Sequence, residues 1–372
     1  MSFELQLVLT ERCNMACTYC YINQKPRDMT PAVFDSHYYN TLPKMMKRYG
    51  QNKFHAALFG GEPLLNWELI EYITPILKKD SRCTLIIAMT NGLAFVDDEK
   101  WEYFKRNNLA ISLSFDGLWN KNNRPLKDGS SSLDLYMKEP LKSRFQGTGG
   151  CKVMVSPESV DTLVDNYKWF VEEFNILSPD YSLVRDNIWS EYDIKNFEIQ
   201  AEKLADQMIK YIRSGIRTTV GFFQLYILDL LFGATYGKRP FGCFAGCTGA
   251  GFMPDGMVYP CARFGSNDVH ALYDSVKDIE YGDTIEIMRS PQVSNPRTYE
   301  KCKNCELYQY CNAGCTYQQL KTDEPNANYC EPVESICELL GILYKQSIRI
   351  VHELKDNELF REMVKGSIQN VG

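Results

Sequence analysis

Six short apolar runs, separated by segments of helical period, constrain this chain more than any other feature. The runs are Phe3 to Leu9, Phe54 to Phe59, Cys83 to Met89, Leu109 to Phe115, Lys152 to Val155 and Tyr181 to Val184, each of strand length and bounded by turn residues. Between them apolar residues recur at helical spacing, most clearly at Val160, Leu163, Val164, Tyr167, Phe170, Val171 and Phe174. This βα alternation predicts a parallel sheet with right-handed crossovers, either an open doubly wound sheet or a full or partial barrel. In each of these, chemistry collects at the C-terminal ends of the strands.

The polar motifs fall at those ends. Cys13, Cys17 and Cys20 follow the first run, Gly60-Gly61-Glu62-Pro63 the second, Thr90-Asn91-Gly92 the third and Ser114-Phe115-Asp116-Gly117 the fourth. Four consecutive strand ends are therefore expected to converge on one site. The cysteine loop supplies three thiolates where a cubane iron-sulfur cluster normally takes four, which leaves one iron able to bind and activate another molecule. Gly60 and Gly61 permit close backbone approach to a ligand, and the Glu62 carboxylate can accept from an ammonium group. The same Gly-Gly run after a strand is also an ordinary turn, and Asn91 suits turn chemistry as well as ligand contact.

A second cysteine group lies at Cys302-x2-Cys305-x5-Cys311-x3-Cys315, preceded by Cys243, Cys247 and the run Pro254 to Cys261. From about residue 242 to 330 the composition turns to Gly, Pro and Cys with little periodicity, which predicts a module cored by metal. The sequence carries 14 Cys but only four His (His37, His55, His270 and His352), none of them in a Cys/His spacing. Soft thiolates in that number fit iron-sulfur clusters, or alternatively an all-Cys structural zinc site. Cys83 and Cys151, in or beside strand runs, read as buried inert thiols.

A formal net charge of -6 without a basic block gives no electrostatic footprint for nucleic acid or an anionic membrane. The start of the chain has no basic n-region or cleavage site. The most apolar stretch, Phe222 to Ala234, is too short to span a bilayer and holds Gln224 and Asp229. A cytoplasmic protein is expected, and thiols used for metal rather than disulfides agree with that.

Taken in order, Cys13-x3-Cys17-x2-Cys20, Gly-Gly-Glu-Pro, Thr-Asn-Gly and Ser-Phe-Asp-Gly resemble the radical S-adenosylmethionine (SAM) superfamily over roughly the first 200 residues. The block Cys243-x12-Gly256-x4-Cys261 with the later four-Cys run resembles that superfamily's SPASM extension. The resemblance implies an α/β fold, a partial (β/α)6 TIM-like barrel with a C-terminal Cys-rich SPASM domain. The expected domains are a radical SAM core over 1–215, a helical connector over 216–241, a SPASM auxiliary-cluster domain over 242–337, and a C-terminal helix and tail over 338–372.

By the same resemblance, Cys13, Cys17 and Cys20 hold one 4Fe-4S cluster whose open iron is chelated by SAM, and reduction yields a 5'-deoxyadenosyl radical. Ser114 and Arg124 sit where related enzymes place a hydroxyl and a guanidinium near the ribose and carboxylate of SAM; otherwise Arg124 is a surface residue of a solvated loop. Tyr19 stands where the family has an aromatic residue near adenine, or merely packs its loop. The family's two auxiliary clusters would use Cys243, Cys261, Cys315 and Cys247 for the nearer one. The farther would use Cys302, Cys305 and Cys311 with Cys330 or Cys337, the latter favoured by its place at the start of the last helix.

Enzymes of this kind mostly act on peptides or proteins. Sulfatase maturases carry an Asp directly after the cysteine matching Cys261, where this chain has Ala262 then Arg263. The reading favoured is a maturase of a ribosomally made peptide, forming a crosslink, thioether or carbon-carbon bond or epimerising a residue. The alternatives are formylglycine formation in a sulfatase, or a non-catalytic multicluster electron carrier or zinc-stabilised binding protein. With the first strand beginning at Phe3, no fused N-terminal recognition domain is expected. The partners implied are a precursor peptide, a separate peptide-recognition protein where the enzyme surface does not bind the leader, and a flavodoxin or ferredoxin type reductant.

Overall fold

The computed structural model describes residues 2–148, 150–185, 188–233, 245, 248–265, 270–281, 304–307, 315, 317 and 334–369. The strands are β1 Phe3–Thr10, β2 Phe54–Gly60, β3 Cys83–Thr90, β4 Ala110–Ser114, β5 Cys151–Val155, β6 Asp180–Leu183, β7 Gly249–Phe252, β8 Met257–Tyr259, β9 Tyr273–Asp274 and β10 Ile279–Glu280. All six apolar runs of the sequence are strands, β1 to β6, with ends displaced by about one residue. The fold is α/β, with a parallel sheet that no pairing closes among the described residues. Among those residues no helix is long and apolar enough to cross a membrane.

The chain divides into two compact units, one of Met1–Ser114, Lys121–Lys142 and Cys243–Ser294, the other of Phe115–Asn120, Ser143–Gly242 and Asn295–Gly372. In the first, strands run in the order β10-β9-β8-β7-β1-β2-β3-β4. From β7 to β4 neighbours are parallel, and from β7 to β10 antiparallel. One face of the parallel core is sealed: Phe3, Leu5, Leu7, Phe54, Ala56 and Leu58 are all essentially inaccessible, and Phe3↔Phe54, Leu5↔Ala56 and Leu7↔Leu58 are register partners. The Trp67–Lys79 crossover helix buries Leu69, Ile70, Ile73 and Leu77, a single stripe at helical spacing.

In the second unit β5 and β6 pair in parallel, with Lys152 opposite Asp180 and Val155 opposite Leu183. The Glu191–Arg213 helix begins with a reciprocal cap in which Asp193 N–H donates to the Ser190 hydroxyl and the Asp193 carboxylate accepts from Ser190 N–H. That helix and Gly221–Phe232 both pack against Glu334–Leu354. Ser114-Phe115-Asp116-Gly117 contributes structure here: Asp116 is fully buried, and its carboxylate accepts from Met154 N–H at 2.8 Å. Gly117 holds φ +64°, and a Cβ there would stand 2.6 Å from the Asn166 side-chain oxygen.

β7 pairs with β1, Glu4 opposite Gly249 and Leu7 opposite Phe252, and so extends the first sheet beyond its βα strands. The long helix Glu334–Leu354 packs on Glu191–Arg213 within one unit.

His37 fastens that extension. It lies in the π-helical turn Ser36–Thr41, fully buried, with Nε2 2.8 Å from the Met253 carbonyl and Nδ1 2.7 Å from the Ser275 hydroxyl. A carbonyl only accepts, so Nε2 carries the proton and Nδ1 accepts from Ser275, which also takes a hydrogen bond from Thr41 at 2.8 Å. Burial pushes the imidazole down to about 4 from its ordinary 6.5. The native ring therefore resists the proton that the unfolded ring accepts below pH 6.5. The site's contribution is complete at neutral pH and declines as pH falls from 6.5 toward 4. By pH 5 the loss at this site should be about 2 kcal/mol. Denaturant titrations at pH 7 and pH 5 should show the stability difference between wild type and His37→Gln shrinking by that amount.

Candidate active site

The cysteine loop is an excursion between Thr10 and Asp28, closed at its base by an antiparallel bridge. Glu11 N–H donates to the Arg27 carbonyl and Met29 N–H to the Leu9 carbonyl, both at 2.9 Å. Arg12 grips Asp28 through two contacts, at 2.8 and 2.7 Å, and its guanidinium also donates to the Leu65 carbonyl at 3.1 Å. Such a fork is the strong form of an ion pair. Inside the loop Met15 is buried and bridges to Leu126, which seats the three cysteines around one apolar anchor.

The loop is seated on β2. Gly61 N–H donates to the Thr10 carbonyl at 2.9 Å and Glu62 N–H to the Arg12 carbonyl at 2.8 Å, which continues the β1/β2 ladder past the strand end. Gly60 holds φ +147°, and a Cβ there would lie 2.3 Å from the Thr10 carbonyl oxygen; at Gly61 it would lie 2.2 Å from that of Arg12. The close approach these glycines permit is thus to the protein's own backbone, at the entrance to the cysteine loop, where the sequence reading placed a ligand.

Glu62 ties three strand ends together. It is buried, and its carboxylate accepts from Leu64 N–H at 3.1 Å, the Thr90 hydroxyl at 2.6 Å and Asn91 N–H at 2.8 Å. Burial raises the carboxyl to about 7, and the three donors oppose that shift. Asn91 relays the connection to the cysteine loop: its side-chain amide donates to Asn14 at 2.7 Å, and its carbonyl accepts from the Tyr136 hydroxyl. Its own side-chain oxygen also accepts from Leu93 N–H at 3.0 Å, the turn contact expected of Thr-Asn-Gly.

The far side of the loop runs antiparallel to residues 123–126. Ala16 N–H donates to the Pro125 carbonyl at 2.8 Å and Thr18 N–H to the Asn123 carbonyl at 3.0 Å. Arg124 is 7% exposed, with its guanidinium carbon 5.3 Å from the Tyr19 ring centroid. It is therefore not a solvated surface arginine, and Tyr19 does more than fill its loop. Ser132 fixes the Arg124 backbone by donating to its carbonyl at 2.6 Å. Ser114 ends β4, half-buried.

Cys13 and Cys17 are half-buried and Cys20 is exposed. Burial, then the nearby Glu62 and the other two cysteines, push the Cys13 thiol up to about 12, while the hydrogen bond from Met15 N–H at 3.4 Å acts the other way. Ligation of a metal at Cys13 must therefore expel a proton. Among the described residues no three Cys, His, Asp or Glu side chains converge on a point as one metal ion requires. Three thiols on one short loop suit a cubane instead, because each meets a different iron. Asn123 adds a second sign of a polar occupant: its amide nitrogen is buried without an acceptor among the described residues. A cluster and a polar cofactor thus fit the residues present.

Of the cysteines expected to hold auxiliary clusters, Cys243, Cys247, Cys302, Cys311 and Cys330 lie outside the described residues. Cys261 is buried, Cys315 half-buried and Cys305 exposed, and Cys337 lies in the first turn of Glu334–Leu354. The turn after Cys261 reaches the first loop: Arg263 stands 4.6 Å from the centroid of the Tyr21 ring. Asn14, Met15, Asn123 and Tyr136 were not singled out from sequence. Asn14 and Met15 sit between two of the motif cysteines and could have been; Tyr136 carries no local signal.

Residues 7–138 match the Radical SAM superfamily. They form a radical SAM domain, and the chain is a radical SAM enzyme; the superfamily's cofactors are a 4Fe-4S cluster and SAM. The chain is 24% identical over 378 residues to the radical SAM cyclopropyl synthase TigE of Paramaledivibacter caminithermalis, covering 96% of this chain and 75% of that protein. It is 24% identical over 354 residues to the cysteine-type anaerobic sulfatase-maturating enzyme of Clostridium novyi, covering 88% and 92%. Among solved structures, native anSMEcpe with bound AdoMet and Cp18Cys peptide superposes with a TM-score of 0.72 at 19% identity, covering 95% of this chain and all (100%) of that one. A likeness at that identity speaks for the fold, the unclosed parallel barrel of this superfamily.

Replacing Gly61 with Ala should drive the Arg12 carbonyl off the β2 backbone and spoil the cysteine loop alone. Iron assays after anaerobic reconstitution should show about four fewer irons per chain in Gly61→Ala. Its circular dichroism should match that of wild type.

Proposed function

We propose that this enzyme modifies a residue within a ribosomally made peptide in the cytoplasm, forming a crosslink, thioether or carbon-carbon bond or epimerising it. When bound, the cluster and SAM supply reductive cleavage of the sulfonium and a 5'-deoxyadenosyl radical that takes hydrogen from substrate. The observation that carries the reading is the seating of the three-cysteine loop between the β2 glycines and the Asn123 to Leu126 segment, with the Arg124 guanidinium over the Tyr19 ring.

Cys13, Cys17 and Cys20 would hold the cluster. Arg124 would clamp the SAM carboxylate with its fork of donors, and Tyr19 would lie beside adenine. Ser114 would meet the ribose. Gly60 and Gly61 act by fixing the loop entrance. Glu62, with one oxygen still able to accept, would face the SAM ammonium, and Asn91 would hold Asn14 and the loop in register. Cys243, Cys247, Cys261 and Cys315 would hold one auxiliary 4Fe-4S cluster. Cys302, Cys305 and Cys311 with Cys337 or Cys330 would hold another.

Peptide-scale substrate is supported by the fold shared with a peptide-bound structure and by relatives that are maturases. Formylglycine formation is the less favoured reading. The position after Cys261 is Ala262, buried, with its N–H donating to the Gln6 side chain at 2.9 Å, so no carboxylate base stands there. A flavodoxin or ferredoxin would deliver the electron, and the leader would be held by the enzyme surface or a separate recognition protein.

Reconstituted protein should bind on the order of twelve irons per chain if three cubanes form. With SAM and dithionite it should release 5'-deoxyadenosine. Cys17→Ala should stop nucleoside release while keeping the auxiliary iron, and turnover by that variant would refute the assignment. Co-expression with small peptides encoded beside the gene should give a product of altered mass.

A further inference from the structure

We propose that Asn123 is a cofactor-binding residue whose side-chain amide donates a hydrogen bond to an oxygen of SAM. The inference rests on the SAM site argued above and adds a residue that no motif of the sequence marks.

Asn123 is 6% exposed, and its Nδ2 has no acceptor among the described residues. Buried donors are nearly always paired, and an unpaired one costs about 1–3 kcal/mol, so a native protein that keeps one invites a search for its partner. The residue's backbone locates the gap. Its carbonyl accepts from Thr18 N–H at 3.0 Å, between Cys17 and Cys20, and the next residue, Arg124, lies over Tyr19.

Among the described residues no neighbour accepts from that amide nitrogen. Thr18 N–H is already spent on the Asn123 carbonyl, and the Arg124 guanidinium, 5.3 Å from the Tyr19 ring centroid, can only donate. The Pro125 carbonyl is taken by Ala16 N–H at 2.8 Å. An occupant of the loop would supply the acceptor, and SAM carries carboxylate and ribose oxygens. A cluster sulfide is the competing acceptor and is separated by the test.

Asn123→Leu removes the donor at similar volume, and Asn123→Ala guards against misfit of the leucine. In anaerobic, cluster-loaded protein, equilibrium dialysis should show SAM binding weakened about tenfold in both. In the cofactor-free protein, Asn123→Leu should melt at or above the wild-type temperature, because it deletes a cost rather than a contact. Unchanged SAM affinity in both variants would overturn the proposal. If affinity is unchanged and the cofactor-free leucine variant is also destabilised, the amide serves the protein or a water. If affinity is unchanged and the cluster's electron paramagnetic resonance shifts without SAM, the amide serves the sulfide. Failure of the wild type to bind SAM at all would refute the SAM site itself, an outcome distinct from any of these.

Discussion

The contact on which the site depends is between two stretches of backbone. Past the end of β2, Gly61 and Glu62 donate to the carbonyls of Thr10 and Arg12, and the cysteine loop leaves β1 from that platform. With a Cβ at Gly61 2.2 Å from the Arg12 oxygen, no other residue can keep this spacing without moving the loop. The cysteines contribute donor atoms, but their position relative to the strand ends is set by main-chain geometry. A ladder that overruns its strand is stiff, and stiffness suits three thiols that must meet three irons of one rigid body.

Above that platform lies a polar network in a place where polar groups are costly. Glu62 loses its hydration, and burial lifts its carboxyl to about 7, yet three donors from Leu64, Thr90 and Asn91 converge on it. A buried carboxylate satisfied this way links the ends of β2 and β3 more specifically than apolar packing could, because each partner has a direction as well as a size. Asn91 carries that direction onward to Asn14 in the cysteine loop, and Tyr136 holds Asn91 from behind. Burial first, and the nearby Glu62 in smaller part, raise the neighbouring Cys13 thiol.

The six strands β1 to β6 were legible because each is written as a strand-length run of apolar residues bounded by turn residues, a signal that does not depend on distant partners. The cysteine motif was legible from spacing. What could not be read depended on contacts remote in sequence. Arg124 lies in a polar stretch, Asn120 to Gly129, and its burial comes with contacts remote in sequence, among them Tyr19 and the antiparallel run beside it. The role of Gly60 and Gly61 was ambiguous because a glycine reports that something comes close and not what. β7, Gly-Ala-Gly-Phe, has almost no strand propensity, so its membership of the first sheet had no local signal.

The weakness of β7 as a sequence signal has a physical purpose that the first loop explains. A Cβ on Gly251 would stand 2.5 Å from Ala262 N and 2.6 Å from the Cys261 carbonyl carbon, so the backbone that carries Cys261 lies directly on the strand. The fold therefore seats a cysteine-bearing segment on a bare strand backbone twice, at Gly61 for the first loop and at Gly251 for the second. Both strands neighbour β1, β2 on one side and β7 on the other. Because β1 is shared, the two cysteine segments take their heights from a single register, and the Arg263–Tyr21 contact closes the distance between them. An insertion in β1 would displace one segment relative to the other even if every cysteine were retained. The glycines that look least informative thus set the relation between two clusters of donors.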